Sequence, residues 1–237
     1  MSQFAVVQNA TAATPVALTG FSDASNLRGF LLGVSNPLPG ATAADLELIF
    51  GWPVVGQKIQ TIAGSGTASW SFPAGVQPRI SYRVTSRINL EAASIFERTI
   101  DPIRMETVNM GLLMLPYVGM VSGDWTNTAR PILSWSADPA LVAASKMILI
   151  RNFWDGPGFY EWSVALPADG SQTRYQFPAI PTAHVELIPP AGAGWTFSAT
   201  VNYVEGGSAT FDQMRQEPSK PYPGRSAWRA FQLGPPL

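Results

Sequence analysis

Short segments with alternating apolar and polar residues recur along most of the chain. The clearest are residues 45–50, 67–72, 80–85, 159–166 and 195–203, and further strands are predicted over residues 108–114 and 185–188. Successive side chains of a β-strand point to opposite faces, so each segment predicts a strand with one buried and one solvated face. Sheets built from such strands are typically antiparallel. The alternation therefore predicts an all-β protein.

Turn residues and helix signals refine this interpretation. The 21 glycines and 21 prolines are spread along the chain, as expected when turns join many short strands. Asp138 followed by Pro139 is typical of a helix start, which predicts a short helix over residues 139–145. Residues 89–99 also fit a short helix. Residues 146–154 are apolar on both faces, which indicates a central strand.

The composition changes near residues 116–124, because six of the eight tryptophans lie after this stretch. We therefore predict an extended N-terminal arm at residues 1–14, a β-sandwich domain at residues 15–117, and a second at residues 118–237. The second domain includes a Pro-rich C-terminal segment and a last strand at residues 228–233. The predicted fold is thus two antiparallel β-sandwich domains in tandem with one short helix.

Several kinds of chemistry are excluded by composition. The chain has no cysteine, so disulfides, thiolate nucleophiles and cysteine-ligated metals are ruled out. His184 is the single histidine, which excludes a multi-histidine metal site. A formal net charge of −1 provides no basic surface for nucleic acid. We expect no cofactor, no metal and no nucleic-acid partner.

The N-terminus lacks the charged and apolar regions of a signal peptide. The most apolar run, residues 110–121, is interrupted by Gly111, Pro116 and Gly119, so no membrane-spanning helix is predicted. We nevertheless expect an extracellular, cell-envelope or virion-surface location, because sandwich modules and an extended arm suit such assemblies.

The segment 153–162 concentrates aromatic residues around a Gly-Pro-Gly turn. Aromatic rings at an exposed strand end can stack on sugars or anchor a protein partner. Its candidate binding residues are the following: Trp154, Asp155, Phe159, Tyr160 and Glu161. The competing interpretation is that the rings belong to the core. Alternation assigns Tyr160 and Trp162 to a buried face and leaves Phe159, Glu161 and the turn 155–158 free for contacts.

Two carboxylates flank this turn. Asp155 and Glu161 could approach each other across a hairpin, and glycoside hydrolysis needs only two suitably spaced carboxyl groups. A chain with 16 acidic residues produces such a pair easily by chance. No residue is therefore assigned a catalytic role.

Two resemblances follow from these strands. Residues 131–135, 147–150, 174–178 and 195–203, with the strand around Trp162, resemble the immunoglobulin or fibronectin type III class, although the immunoglobulin cysteine pair is missing. In the first half, residues 46–50, 66–73, 80–84 and 108–115 resemble carboxypeptidase-regulatory or transthyretin-like sandwiches. The resemblance implies modules that bind, space or present other molecules and rarely catalyse.

The functional expectation is a non-catalytic structural or interaction protein. It would dock onto other protein subunits in a homo- or hetero-oligomeric cell-surface, appendage or virion assembly. The alternative is a glycan-binding or carboxylate-based glycan-cleaving domain built on the segment 153–162. The structural or interaction role is inferred from similarity of fold alone.

Overall fold

The computed structural model describes residues 27–50, 55–73, 80–89, 91–100, 105–155, 158–170, 172–188, 196–216 and 224–233. The predicted arm at residues 1–14 and the Pro-rich stretch at residues 217–223 lie outside these ranges. Within them the chain is built mainly of β-strands with a few short helices, so the predicted all-β fold is confirmed.

The first half contributes seven strands and one helical turn, in this order: β1 Leu27–Ser35, β2 Ala43–Phe50, β3 Val55–Ile62, β4 Gly66–Pro73, β5 Ile80–Arg87, β6 Ala92–Ile100, β7 Met105–Asn109 and α1 Met110–Leu113. The second half follows: β8 Val121–Asp124, β9 Ile132–Trp135, α2 Pro139–Ala144, β10 Met147–Asp155, β11 Phe159–Pro167, β12 Arg174–Gln176, a 3₁₀ helix Thr182–Leu187, β13 Thr196–Val204, α3 Phe211–Gln216 and β14 Gly224–Leu233.

The strands form three sheets. The large sheet has the order β11-β10-β13-β14-β6-β5-β2-β3 and contains strands from both halves of the chain. The first small sheet has the order β4-β1-β7, and the second small sheet has the order β12-β9-β8. All pairs are antiparallel except β1 and β7, which run parallel.

Two hydrophobic cores lie on the same face of the large sheet. One joins β2, β3 and β5 to the first small sheet around Leu46, Tyr82 and Leu32. The other joins β10, β13 and β14 to the second small sheet around Tyr203 and Leu133. We call the face covered by the small sheets the inner face and the opposite one the outer face. The molecule thus consists of two sandwiches that share one large sheet.

The C-terminal strand β14 connects the two halves. It pairs with β13 from Phe197↔Leu233 to Val204↔Ser226, and on its other side with β6 from Gly224↔Glu97 to Arg229↔Ala92. Small buried residues line this junction, where Ala93, Ser94 and Ala227 are each 0% exposed. A strand from the end of the sequence therefore makes the sheet continuous.

The short helix after Asp138 is confirmed. Asp138 accepts a hydrogen bond from the Ala140 backbone N–H at 2.7 Å, and Pro139 occupies the first turn, where its missing N–H costs nothing. The central strand predicted at residues 146–154 is also confirmed, because β10 lies between β11 and β13.

Three local predictions are wrong. Residues 92–99 of the predicted helix 89–99 belong to β6 instead, because β5 and β14 satisfy the strand backbone on both sides and outweigh a weak helical preference. The strand predicted over residues 108–114 ends at Asn109 and gives way to α1, which directs Met110 into the first core. The strand predicted after His184 is a 3₁₀ helix, exposed along most of its length.

Candidate functional site

Strands β10 and β11 form the hairpin singled out in the sequence. Their register runs from Met147↔Pro167 to Asp155↔Phe159, and residues 156–157 of the turn lie outside the described residues. This register divides the five candidate residues between two faces. Trp154 and Tyr160 face the inner side, whereas Asp155, Phe159 and Glu161 face the outer side.

The inner face of the hairpin is part of the second core. Trp154 is 6% exposed and stacks on Tyr160 with ring centroids 5.8 Å apart and planes inclined by 16°. Trp162 meets Trp154 edge-on at 6.3 Å and contacts Phe177 at 5.0 Å. Such aromatic pairs add to the free energy gained by burial alone. These rings anchor the hairpin onto the second small sheet.

The outer face of the hairpin is exposed. The Phe159 side chain is 69% exposed and lies 5.9 Å from Phe153, measured between ring centroids. The Glu161 carboxylate accepts a hydrogen bond from Ser163 Oγ at 2.6 Å and lies 3.9 Å from Arg151 Nε. An exposed ion pair of this kind contributes at most about 1 kcal/mol, so it orients Glu161 more than it stabilises the fold.

The sequence analysis did not single out two residues of the inner face that have buried polar atoms, Asn152 and Trp125. Asn152 is 1% exposed, and neither its Oδ1 nor its Nδ2 has a hydrogen-bond partner among the described residues. Trp125, which follows β8, is 7% exposed and packs edge-on against Phe197 at 5.4 Å. The signal for Asn152 was available, because alternation along β10 places it on the same face as Ile150 and Trp154.

The second core also contains a buried hydrogen bond. Trp135 Nε1 donates to the Tyr203 hydroxyl at 2.8 Å and connects β9 of the second small sheet to β13 of the large sheet. Burial raises the pKa of the Tyr203 phenol above its ordinary value of 10.0, and the hydrogen bond from Trp135 offsets part of this rise. The bond therefore joins the two layers behind the hairpin.

His184 does not contribute to this hairpin site. It lies on the exposed 3₁₀ helix, with Nδ1 at 3.5 Å from the Glu186 carboxylate. Among the described residues, no three His, Cys, Asp or Glu side chains come close enough to hold a metal ion. The helices in the described ranges are all too short or too polar to cross a membrane.

Comparisons with known proteins give only distant structural similarity. No protein-family model and no curated protein matches the chain. A two-domain fibronectin type III segment of chicken tenascin matches at 11% identity and a TM-score of 0.30, covering 84% of this chain and 87% of that one. A candidate carbohydrate-binding protein from Bacteroides uniformis matches at 11% identity and a TM-score of 0.29, covering 87% of this chain and 98% of that one.

The FN1–FN3 segment of chicken CNTN1 matches at 9% identity and a TM-score of 0.29, covering 89% of this chain and 64% of that one. At TM-scores this low, none of these similarities carries an argument about function.

Proposed function

We propose that the protein is a non-catalytic structural or interaction subunit that docks onto another subunit through the free edge of β11. The supporting observation is the long backbone edge that β11 leaves open among the described strands. β11 ends the large sheet and pairs only with β10 among the described strands. At nine residues it is the longest edge strand in the described part of the chain.

The hydrogen-bond pattern identifies which backbone groups are free. The Ala168 N–H donates to the Lys146 carbonyl at 3.2 Å. Because bonded pairs alternate along an antiparallel ladder, the even-numbered residues of β11 bond to β10. The N–H and C=O groups of Phe159, Glu161, Ser163 and Ala165 then point away from the sheet. Pro167 fits this pattern, since proline is tolerated in an edge strand where its missing N–H would face outward.

Except for Pro167 at its last position, this edge lacks the usual protection against pairing. Natural edge strands are blunted by charged residues, especially lysine, by proline or by β-bulges. β3, at the opposite edge of the large sheet, pairs with β2 across a register shift between Leu46 and Glu47. β11 carries one charged residue, Glu161, which Arg151 and Ser163 already engage. Of the two edges of the large sheet, β11 is therefore the one better suited to receive another strand.

The partner that best suits this edge is β11 of a second copy, paired antiparallel about a two-fold axis at Ser163. This register sets Glu161 opposite Ala165 of the other copy and avoids facing like charges, which destabilise directly opposed positions. Such a two-fold interface uses the same surface on both subunits. The exposed Phe159 ring would be partly covered by the added strand.

The test uses three substitutions at Ser163. Ser163→Lys places two like charges directly opposite each other, and Ser163→Pro removes the outward N–H without touching the bonds to β10. Ser163→Ala is the matched control, because it also loses the hydroxyl but keeps the N–H and adds no charge. Sedimentation velocity at roughly 50 µM should show a dimer for the wild type and the alanine variant. The lysine and proline variants should be monomeric.

Two results would contradict the proposal. One is a wild-type chain that stays monomeric at roughly 50 µM. The other is an assembly that the lysine and proline variants leave intact, since its contacts would then lie on another surface. Circular dichroism of each variant checks that the sheet itself is retained.

The carboxylate alternative has weaker support. Asp155 lies opposite Phe159, so Glu161 is its diagonal neighbour, at a separation of about 7–8 Å between Cα atoms. Carboxyl groups on side chains at neighbouring positions of one face can reach the spacing of a glycosidase pair. Both side chains, however, are exposed on an open sheet face, whereas a general acid is typically held in an enclosed apolar site. Release of reducing sugars from polysaccharides by the wild type, and its loss in Glu161→Gln, would favour this alternative over the docking role.

A further inference from the structure

A second open strand edge lies in the first small sheet, at the end of the large sheet opposite β11. β4 is an outer strand of that small sheet and pairs only with β1 among the described strands. Residues 63–65 alone separate β4 from β3, the last strand of the large sheet, and β3 and β4 contact each other. The eight strands of the large sheet leave seven spacings of about 4.8 Å, so β4 lies about 34 Å from β11.

The sequence of β4 gives this edge little protection. Its eight residues, GTASWSFP, include no charged residue, and its register with β1 runs without a shift from Leu27↔Pro73 to Val34↔Gly66. Charged residues, bulges and prolines are the features that keep natural edge strands from pairing with other chains. Of these, β4 has only Pro73, at its last position. A long, flat and uncharged edge of this kind is a template for a further strand.

Pro73 also indicates which backbone groups of β4 are free. Proline is tolerated in an edge strand where its missing N–H would point away from the sheet. Because bonded pairs alternate along an antiparallel ladder, the N–H and C=O groups of Thr67, Ser69 and Ser71 then point outward as well. The Thr67 and Ser69 side chains are exposed, whereas Ala68 between them is buried in the first core. A strand added at β4 would extend the small sheet without disturbing this core.

The partner that suits this edge is β4 of a second copy, paired antiparallel about a two-fold axis at Ser69. Because β4 is uncharged, no facing residues repel each other in this register. The axis sets Ser69 opposite its own copy, and facing hydroxyl residues are favourable cross-strand pairs. A highly charged strand would find no opposite charge on β4. The edge therefore favours an uncharged partner strand such as its own copy.

We propose that β4 is a second docking edge for another copy of this chain, so that alternate β11 and β4 contacts join the copies into an open-ended row. A chain that docks through one two-fold contact still presents its other edge at the opposite end of the large sheet. Assembly therefore continues beyond a dimer. The row rests on the proposed β11 contact, whereas docking at β4 is independent of it.

The β4 contact should be the weaker of the two. β4 has three residues with outward-pointing backbone groups, whereas β11 has four with both groups free. We expect a dissociation constant of about 1 mM for the β4 contact, so at roughly 50 µM the dimer formed through β11 predominates.

The first test traps the β4 contact with a disulfide, which the absence of cysteine makes specific. Ser69→Cys is introduced into the Ser163→Pro variant, which lacks the β11 contact. Hydrogen-bonded partners of an antiparallel pair have Cα atoms about 5.5 Å apart, which is within the range that a disulfide spans. Treatment with oxidised glutathione at roughly 100 µM protein should therefore produce a disulfide-linked dimer.

Ala183→Cys in the same Ser163→Pro background is the matched control. Residue 183 is exposed like residue 69, but it lies on the 3₁₀ helix. Its dimer should form at least about tenfold more slowly, because only a docked pair holds its two thiols at a high effective concentration. Equal rates for the two cysteine variants would overturn docking at β4.

The second test measures the assembly itself by small-angle X-ray scattering at roughly 1 mM. The mean mass of the wild type should exceed that of a dimer. Ser163→Pro and Ser69→Lys should not exceed a dimer, since each retains one contact, and the variant with both changes should be monomeric. Ser69→Ala adds no charge and should assemble as the wild type does. Residue 69 is exposed, so these substitutions leave the core intact.

Two failures can be distinguished. A wild-type mass that Ser69→Lys leaves unchanged would overturn docking at β4, while the β11 contact would stand. A wild type that is monomeric at roughly 50 µM, together with efficient cross-linking of Ser69→Cys, would instead overturn the row through its β11 contact.

Discussion

Replacing Tyr203 with phenylalanine isolates the hydrogen bond that joins the two layers of the second sandwich. Tyr203 is 0% exposed, and its hydroxyl accepts from Trp135 Nε1 at 2.8 Å. The substitution keeps the ring and leaves a buried indole N–H without its acceptor. A buried donor left unsatisfied costs about 1–3 kcal/mol, so we expect the free energy of unfolding to fall by about 2 kcal/mol. That is a sizeable part of the free energy of unfolding of a typical domain, which is about 5–15 kcal/mol.

The assay is urea unfolding followed by circular dichroism and fluorescence. Tyr203→Phe should lower the midpoint without changing the slope, because the surface exposed on unfolding stays the same. Trp135→Phe and the double variant complete a thermodynamic cycle. The two substitutions should couple by about 0.5–1.5 kcal/mol, since removing both partners leaves no orphaned group. An unchanged midpoint for Tyr203→Phe, or full additivity in the cycle, would refute the reasoning.

The same residue predicts a loss of stability at alkaline pH. Burial raises the pKa of Tyr203 above 10.0 in the folded chain. Above pH 10 the unfolded chain therefore loses this proton while the folded chain retains it, and the free energy of unfolding falls as pH rises. Tyr203→Phe should make this decline shallower. It should not abolish it, because burial also raises the pKa of Tyr117. A decline of the same steepness in Tyr203→Phe would contradict a contribution of the Tyr203 phenol to the loss of stability.

Two further predictions concern Trp125 and β14. Gly123→Ala should lower the free energy of unfolding by about 1–3 kcal/mol and shift tryptophan emission to longer wavelength, because the added methyl group displaces the Trp125 ring. Gly170→Ala is the control, because the space around residue 170 is open, and it should change the free energy of unfolding by less than about 0.5 kcal/mol. Equal effects of the two substitutions would contradict the packing of Trp125 over Gly123. A chain ending at residue 223 lacks β14, so both sandwiches should lose protection in hydrogen exchange; unchanged protection of β5 and β6 would instead mean that the first half folds alone.

Local pattern was sufficient for most strands. The alternation at residues 159–166 and 196–203 is a property of neighbouring residues, and it predicted both the strands and the faces that they bury. Asp138 and Pro139 likewise define a helix start through contacts within one turn. The division of the hairpin followed from the same rule, which left Phe159 and Glu161 on the exposed side.

Residues 89–99 show where local pattern fails. Their alanines and glutamates are compatible with a helix, and β5 and β14 together determine that residues 92–99 belong to β6. β14 begins 124 positions after β6 ends, as the difference between residues 224 and 100, so no local signal links them. The contact between Trp125 and Phe197 has the same origin, because these two rings meet only when β8 and β13 pack in one sandwich.

The sequence by itself determined the all-β class, the position of most strands and the inward direction of the Tyr160 and Trp162 rings. These depend on the two-residue period of a strand, which acts between adjacent side chains. Only the tertiary structure decided that both sandwiches share one large sheet, that β11 is left as an edge, and that the Asn152 amide is buried without a hydrogen-bond partner among the described residues. These features depend on which distant strands pair, and strand pairing is selected by the packing of the whole chain.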